Sequence, residues 1–221
     1  MQPERIAYYG YAHVPWVGGT GQRGFADADI PGGHQKRVLY DFARALLVGA
    51  GYVEIGLDHF ARPDDPLATS AQAHTLNRNF MGYIPNKASV TLGLGVSAIS
   101  DCSTAFAQNI KSIPEYQRCM EKGQLALEKG HVLSGQDQLM SQRIEEVMCN
   151  LRTDLSDLDD NEHRDVRDKL RALAADGLIA WDRKSLRVTE LGRPFLRNIC
   201  MAFDQYRDPQ QSPARQFSQS V

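Results

Sequence analysis

Residues 88–100 carry no charged side chain, although 24% of the residues in the whole chain are charged. The β-branched residues of this run favour a strand, and the run is far too short to cross a membrane. The segment therefore predicts a strand in the interior of the fold. Gly93 and Gly95 would face the same side of that strand and leave a strip of bare backbone. Another backbone or a flat ligand could approach such a strip closely, and a core strand with a bulge fits the same spacing.

Several stretches of the chain match one protein family, in the same order. These motif stretches are residues 11–13 (YAH), 36–37 (KR), 56–63 (GLDHFARP), 78–83 (RNFMGY), 93–100 (GLGVSAIS), 107–109 (AQN) and 197–204 (RNICMAFD). The matching region extends from about Arg5 to the Gln216-Phe217-Ser218 tail. In these stretches the chain resembles the oxygen-independent coproporphyrinogen III oxidases, which are radical S-adenosylmethionine (SAM) enzymes of haem biosynthesis.

The resemblance implies a defined chemistry for the complete enzyme. Two propionate side chains of coproporphyrinogen III are oxidatively decarboxylated to vinyl groups without oxygen, which gives protoporphyrinogen IX. A [4Fe–4S] cluster cleaves SAM to a 5′-deoxyadenosyl radical that removes hydrogen from the propionate β-carbon, and loss of CO2 and one electron completes the vinyl group. The family binds two SAM molecules. Carried over by position, Ala12 contacts one of them and Ile99 the other. The electron acceptor is not identified, and the full-length enzyme is expected to be a monomer.

The cysteines of the chain do not have the spacing that this chemistry needs. Enzymes of the family hold the cluster with Cys-x-x-x-Cys-x-x-Cys in their first half, whereas Cys102, Cys119, Cys149 and Cys200 are scattered here. Cluster ligation requires thiolates only a few residues apart. We therefore interpret these residues as small apolar groups or free thiols of a reducing compartment. The chain is expected to be the C-terminal half of the enzyme, to contain no metal ligands and to be inactive alone.

Composition and charge exclude several other classes of function. The 221 residues contain 25 Lys and Arg against 27 Asp and Glu, a net charge of −2. This balance argues against bulk attraction to nucleic acid or to acidic lipid. The N-terminus has no apolar core segment of a signal peptide, and no run approaches the roughly 20 apolar residues of a membrane helix. We expect a cytoplasmic protein without a nucleic-acid or membrane partner.

The first half of the chain has an α/β pattern. Residues 5–12 predict a buried strand, followed by a Gly-rich connector that lacks the ending of a phosphate-binding loop. Residues 33–49 predict an amphipathic helix and residues 52–56 a second strand, expected to pair in parallel with the first. Given the resemblance, residues 1–110 are expected to form the C-terminal portion of a radical SAM partial (β/α) barrel.

Three polar positions in this half are candidate ligand contacts. His13 and His59 each follow a predicted strand, and two strand ends of one sheet can converge on one pocket. Asp58 precedes His59, but adjacent strand residues point to opposite faces, which predicts a role in shaping the pocket rather than an Asp–His couple. Arg78 is the best single candidate to bind a carboxylate, because a guanidinium group matches that geometry; a surface ion pair is the alternative.

Residues 111–221 predict a mostly helical, winged-helix-like domain. Helices are expected at residues 110–122 and 134–151, the second capped by Ser134. A charged link over residues 154–168 precedes a helix that ends at residue 175. Strands at residues 178–181 and 186–188 and a last helix over residues 189–206 complete the outline. The favoured role is a lid that packs against the barrel and helps to enclose the substrate.

Two alternative functions fit parts of the pattern. A winged-helix module could bind DNA through the last helix and the wing. The basic residues available for that role are Arg183, Lys184, Arg187, Arg193 and Arg197. The related radical SAM haem chaperones are the second alternative, although residues 197–204 and the C-terminal tail favour the oxidases.

Overall fold

The computed structural model describes residues 2–14, 24, 26–159, 163–182 and 184–206. The described chain is a mixed α/β structure in which the strands form four small sheets. These sheets do not close into a barrel within the described residues. Most of the predicted Gly-rich connector (residues 15–23 and 25), Arg183 of the wing and the C-terminal tail lie outside the described residues.

The first sheet contains three short strands in the order β1-β3-β2. They are β1 (Arg5–Ala7), β2 (Val53–Gly56) and β3 (His59–Ala61). Both β1 and β2 pair antiparallel with β3. The predicted direct parallel pairing of the first two strands is therefore wrong, because the chain turns back after β2 and inserts β3 between them. The first strand also ends at Ala7 rather than at residue 12.

Helix α1 (Gly33–Gly49) has the predicted bounds. Its predicted apolar stripe is not buried in the described chain: Val38, Phe42 and Leu46 are 54%, 64% and 58% exposed. Tyr40 lies on the opposite side, where its hydroxyl donates a 2.7 Å hydrogen bond to the carbonyl oxygen of Leu57. The helix thus contacts the first sheet through a polar face, and its apolar face stays exposed in the described part of the chain.

The uncharged run is mostly an exposed loop, which corrects the prediction of a buried strand. Only its end enters β6 (Ile99–Asp101), and Leu92 and Leu94 are 70% and 88% exposed. Gly95 has a φ of +95°, which a continuous strand does not allow. The predicted close approach of another backbone does occur at Gly93. A Cβ atom there would lie 2.8 Å from the carbonyl carbon and oxygen of Ile99.

The loop is held by Asn109, a buried residue of the 107–109 motif stretch. Its side-chain amide donates to the carbonyl oxygens of Gly93 at 3.0 Å and Gly95 at 2.8 Å. Asn109 ends β7 (Ala105–Asn109), which pairs antiparallel with β6 and with β8 (Leu127–Val132). Two motif stretches are therefore joined by side-chain hydrogen bonds to backbone.

The segment between the first sheet and β6 is more ordered than its polar composition predicts. It contains α2 (Pro66–Gln72) and a hairpin formed by β4 (Asn77–Asn79) and β5 (Gly82–Ile84). Tyr83 of β5 donates a 3.1 Å hydrogen bond to the carbonyl oxygen of Met148. Its hydroxyl occupies the space that a Cβ at Gly56 would need. This glycine therefore allows the hairpin to pack against the first sheet.

The second half is built around α4 (Gly135–Asn150). Ser134 caps this helix as predicted, with its hydroxyl accepting a hydrogen bond from the Asp137 backbone at 3.1 Å. The helix follows α3 (Ile113–Glu121) and precedes β9 (Arg152–Asp154) and α5 (Arg164–Ala175). Strands β10 (Ile179–Trp181) and β11 (Ser185–Val188) form the predicted hairpin, and β9 adds a third strand that the sequence did not indicate.

The predicted last helix over residues 189–206 is shorter and interrupted. A 3₁₀ turn (Arg193–Phe195) leads into α6 (Leu196–Cys200), and a second 3₁₀ turn (Met201–Phe203) follows. Thr189 accepts a 3.0 Å hydrogen bond from the backbone of Gly192, so it stabilises the turn before this segment. Among the described helices, none is long and apolar enough to cross a membrane.

One apolar core runs through both halves of the described chain. It includes Ile55 and Leu67 from the first half and Val147, Leu186 and Phe203 from the second. Strand β8 also pairs with β7 across the predicted domain boundary at residue 110. The two halves are therefore packed and hydrogen-bonded together, and the boundary itself stays a prediction.

Candidate functional site

A cleft with many basic side chains lies where α1, the segment after β1 and the C-terminal helical segment meet. We call it the basic cleft. It is lined by residues 8–11, 36, 37, 40, 57, 58, 193, 194, 197 and 198. Its cations are Lys36 and Arg37 from α1 and Arg193 and Arg197 from the other end of the chain. The fold thus gathers basic groups that are about 160 residues apart in the sequence.

One wall of the basic cleft is aromatic. The rings of Tyr8 and Tyr40 stack with centroids 6.1 Å apart, and Tyr8 donates a 3.3 Å hydrogen bond to the carbonyl oxygen of Leu39. Burial, together with the nearby carboxylate of Glu54, raises the pKa of Tyr40 well above its usual value. Tyr40 is therefore a neutral hydrogen-bond donor at physiological pH and contributes apolar surface to the wall.

Asp58 is the acidic residue among the described residues that line the basic cleft. Its Oδ1 lies 2.8 Å from Nδ1 of His59, so the two side chains form the couple that strand alternation argued against. The prediction is wrong because Asp58 lies in a turn, where alternation does not apply, next to Leu57 with a φ of 49°. Burial would raise the pKa of Asp58, but the hydrogen bond and charge of His59, with help from Arg197, lower it overall.

The two predicted histidine-bearing segments do converge on one cleft. Tyr11, two residues before His13, and Asp58, the residue before His59, both line the basic cleft. His13 is buried, and its ring lies 6.1 Å from the ring of Tyr11. Neither imidazole is among the groups that line the cleft, which fits supporting roles better than direct ligand contact.

A second, larger cleft lies between the β4–β5 hairpin, the β6-β7-β8 sheet and α4. We call it the Ile99 cleft. It has a volume of about 660 Å³, which is within the range of small-molecule sites. Its floor is apolar: Phe80 and Phe106 meet edge to face with centroids 5.2 Å apart, next to Ile99 and Ile144.

Arg78 lines the Ile99 cleft, with its guanidinium carbon 5.6 Å from the centre of the Tyr83 ring. Its Nε is buried and has no hydrogen-bond partner, and Arg78 makes no ion pair within the described residues. The nearby carboxylate of Glu145 is instead paired with Lys87. The predicted surface ion pair is therefore absent from the described chain, and carboxylate binding stays a prediction for this residue.

The two predicted SAM contacts lie at different places. Ala12 is exposed beside Tyr11, at the edge of the basic cleft, and lies five residues beyond the end of β1 rather than at a strand end. Ile99 is half-buried, begins β6 and lines the other cleft. A small exposed residue beside a cleft and an apolar side chain in a roomy one both fit packing against an adenosyl group. Contact with SAM stays a prediction at both positions.

The cysteines do not fit an iron–sulfur cluster. Cys102 is exposed and Cys119 is partly exposed, whereas Cys149 and Cys200 are buried. Burial raises the pKa of the Cys149 and Cys200 thiols to about 12, so both are protonated, and a cluster needs thiolates. The described residues contain no group of three or more potential metal ligands.

Several lining residues were not identified as ligand contacts from the sequence. The amphipathic pattern of α1 places Lys36 and Arg37 on its solvated face, and the winged-helix outline makes Arg193 and Arg197 candidate DNA contacts. One feature of the sequence indicates a role in a site: Lys36, Arg37 and Arg197 lie inside motif stretches, and Arg193 lies just before one. Every motif stretch contributes at least one lining residue to one of the two clefts.

Comparison with known proteins supports the resemblance seen in the motif stretches. No protein-family model matches the chain. The chain is 38% identical to the oxygen-independent coproporphyrinogen III oxidase of Escherichia coli over 228 aligned positions, covering 100% of the chain and 50% of the relative. It is 37% identical to the enzyme of that name from Pseudomonas aeruginosa, over 93% of the chain and 46% of the relative.

A solved structure gives the same relationship. The chain superposes on coproporphyrinogen III oxidase from Escherichia coli, described as a radical SAM enzyme, with a TM-score of 0.86 and 39% sequence identity. The match covers 93% of this chain and 49% of the other. The chain therefore spans about half the length of the relatives that it matches. The resemblance seen in the motif stretches is confirmed: over its own length, this chain is related to the oxygen-independent coproporphyrinogen III oxidases.

Proposed function

We propose that this chain is the C-terminal half of an oxygen-independent coproporphyrinogen III oxidase. In the complete enzyme it contributes part of the site in which two propionates of coproporphyrinogen III are oxidatively decarboxylated. The observation that carries the proposal is the convergence of the motif stretches. Each of the seven motif stretches, which are spread from residue 11 to residue 204, contributes at least one lining residue to one of the two clefts.

The residues of this chain orient reactants and exclude water, and a cofactor supplies the difficult chemistry. SAM, when bound, supplies the adenosyl group that removes hydrogen from the substrate. Ala12 and Ile99 would each contact one SAM molecule, the first as a small exposed residue and the second through apolar packing. The cluster ligands are expected from the half of the enzyme that this chain does not match, because the four cysteines here do not fit that role.

The exposed apolar face of α1 supports this division into halves. Val38, Phe42 and Leu46 form a helical stripe that is normally buried in a folded protein. In our proposal, residues 1–110 complete a partial (β/α) barrel with the cluster-binding half, which covers this stripe. Residues 111–221, with the α5–β10–β11 outline of a winged helix, form a lid over the same site.

The test uses a longer protein in which the cluster-binding half precedes this chain. We expect the coding sequence upstream of Met1 to encode Cys-x-x-x-Cys-x-x-Cys in frame. After anaerobic reconstitution with iron and sulfide, the longer protein is given SAM, a one-electron reductant for the cluster and an electron acceptor, and it should then release CO2 from coproporphyrinogen III. The 221-residue chain treated in the same way should bind no iron and should release no CO2.

A variant with the three motif cysteines replaced by Ala is the matched control for the longer protein, and it should lose both iron and activity. A longer protein that binds about four irons and cleaves SAM, yet leaves coproporphyrinogen III unchanged, would contradict the proposed function. That outcome would favour the related haem chaperones. The DNA-binding alternative has no support from the cleft, since Arg193 and Arg197 lie in its lining.

A further inference from the structure

The lining of the basic cleft has a strong excess of positive charge. Four cations, Lys36, Arg37, Arg193 and Arg197, surround it, and Asp58 is the carboxylate among the described lining residues. That carboxylate already interacts with an imidazole, since its Oδ1 lies 2.8 Å from His59. The basic groups are therefore poorly neutralised by the cleft itself.

Among the described residues, two of the four cations form no ion pair, although the charge of Arg197 acts on Asp58 from a longer distance. Within the described residues, neither Lys36 nor Arg197 forms an ion pair, although Lys36 is half-buried. Arg37 and Arg193 pair with exposed carboxylates on their own helical segments, at 2.8 and 3.0 Å. Like charges brought together without counter-charges repel each other. A ligand that supplies negative charge would relieve that repulsion.

The shape of the cleft limits the kind of anion. The volume of this open cleft is about 170 Å³, which suits a small anionic group better than a whole tetrapyrrole or a nucleic-acid backbone. Next to this space lies the stacked pair Tyr8 and Tyr40, an apolar surface for the rest of the ligand. The arrangement fits a short carboxylate arm attached to a larger ring system.

Arginine is the side chain best suited to this chemistry. Its planar guanidinium donates two parallel hydrogen bonds to a carboxylate, and a nearby ammonium adds a point charge. Arg197 on α6 and Lys36 on α1 offer these two groups from opposite ends of the chain. A ligand bound between them would also hold the two ends of the chain together.

We infer that the basic cleft binds propionate carboxylates of a tetrapyrrole, with Arg197 and Lys36 as the principal binding residues. This inference rests on the proposed function and names the part of the site that recognises the substrate. It concerns binding alone, so it can be tested on the 221-residue chain without the cluster.

The experiment titrates the chain with coproporphyrin III, the coloured and fluorescent tetracarboxylate with the same side chains as the substrate. Saturable binding is followed by porphyrin fluorescence for the wild type, Arg197→Gln and Lys36→Gln. Each substitution should weaken binding about tenfold or more, because each removes a charge-assisted hydrogen bond. Arg197→Lys should recover part of the loss, since it keeps the charge but not the two-pronged geometry.

The matched control is Arg171→Gln. Arg171 is an exposed residue of α5 that pairs with Asp168 and lines neither cleft. The control changes net charge by the same amount, and it should bind coproporphyrin III like the wild type. Circular dichroism and thermal unfolding of every variant separate a loss of binding from a loss of folding.

Several results would overturn the inference. They are absence of saturable binding to the wild-type chain, unchanged binding in both cleft variants, and an equal loss in Arg171→Gln. SAM also has a carboxylate, and duplex DNA has phosphates, so both are titrated in parallel. If Arg197→Gln weakened binding of either one and left coproporphyrin III binding unchanged, the inference would fail. The proposed function would still stand if the longer protein released CO2, so the two failures are distinguishable.

Discussion

Arg5 Nε lies 2.8 Å from Asp65 Oδ2, which ties the first strand of the chain to the start of α2. The other oxygen of the same carboxylate accepts a 2.7 Å hydrogen bond from the backbone nitrogen of Leu67 and caps the helix. The Asp65 side chain is buried, whereas Arg5 is half exposed. Burial alone would raise the pKa of Asp65, but the hydrogen bonds from Arg5 and Leu67 lower it below its usual value.

Because of this lowered pKa, the free energy of unfolding should differ between the wild type and an Asp65 variant by an amount that depends on pH. A carboxyl group with a lowered folded-state pKa stabilises the fold above its unfolded-state pKa of about 3.9. The contribution is lost as the pH falls through the lower folded-state value. Asp65→Asn keeps a capping oxygen but not the charge, and it should lower the free energy of unfolding by about 1 kcal/mol at pH 7. The deficit should shrink below pH 4.

Urea denaturation at pH 7, 5 and 3.5 measures this difference. Arg5→Gln should reproduce only part of the pH dependence, because it removes the ion pair but leaves the hydrogen bond from the Leu67 backbone. Asp65→Ala should cost about 1 kcal/mol more than Asp65→Asn at every pH, because the cap is lost as well. A deficit that grew on acidification would show that Asp65 is not stabilised in its ionised form.

Arg143 on α4 is a buried cation with partly exposed partners, so the contribution of its ion pairs to stability can be tested by substitution. Its guanidinium pairs with Glu146 at 3.0 Å and with Asp157, and its side chain is only 6% exposed. Removing the two carboxylates leaves a buried charge without partners, which typically costs about 3–5 kcal/mol. Arg143→Met removes the charge and fills similar space, so it should cost clearly less. Chemical denaturation of Glu146→Ala/Asp157→Ala and of Arg143→Met compares the two.

Arg143→Met combined with the two acidic substitutions is the control. In that background the acidic substitutions should cost less than about 1 kcal/mol, since exposed carboxylates contribute little by themselves. Equal losses in the presence and absence of Arg143 would mean that the carboxylates stabilise the fold through other contacts, such as the one between Thr153 and Glu146.

The long helices could be predicted from the sequence because their signals are local. Apolar residues at helical spacing and flanking glycines define α1, and Ser134 at the cap defines the start of α4. The short strands could not be predicted in the same way. β1, β3 and β9 have three residues each, and their existence depends on partners far along the chain. Local propensity carries little information about such pairs.

Prediction of the site residues is limited in the same way, because the local sequence does not show which distant residues come together. Arg78 was identified as a candidate because a guanidinium group is itself chemically suggestive, and it does line a cleft. Arg193 and Arg197 suggested DNA, since the sequence does not show that they face Lys36 across a cleft. The uncharged run suggested burial, but Leu94 is exposed in the described chain. Apolar composition indicates that a surface is covered in the complete protein, not which part of the protein covers it.

The cysteines predict a simple pattern of chemical reactivity. Burial raises the pKa of Cys149 and Cys200 to about 12, so at pH 8 both are protonated as well as inaccessible. Cys102 is exposed. A thiol-reactive disulfide reagent at pH 8 should therefore label Cys102 rapidly in the folded chain and leave Cys149 and Cys200 unmodified. In guanidinium chloride all four thiols should react.

Cys102→Ser is the control for this labelling, and it should abolish the rapid phase without changing the protection of Cys149 or Cys200. Peptide mapping of the labelled chain assigns each phase. Rapid modification of Cys149 in the folded chain would contradict the packing of α4 against the core. It would also reopen the question of whether that thiol can serve as a ligand.

The two glycines of the uncharged run should respond differently to the same substitution. At Gly93 a Cβ would lie 2.8 Å from backbone atoms of Ile99, so Gly93→Ala must push the loop away from β6 and should cost about 1–3 kcal/mol. At Gly95 there is open space, and Ala meets only the penalty of a φ of +95°, about 1–2 kcal/mol. Gly49→Ala, at the end of α1 with open space and no positive φ, should instead stabilise the fold by about 0.5–1 kcal/mol. Urea denaturation of the three variants tests this ranking.

Because Asn109 holds both loop carbonyls, Gly93→Ala should also expose the amide hydrogens of the 93–100 stretch to faster exchange. If Gly93→Ala were as stable as the wild type, the loop would not pack on β6 as described, and the carbonyl contacts of Asn109 would have to be formed in another way.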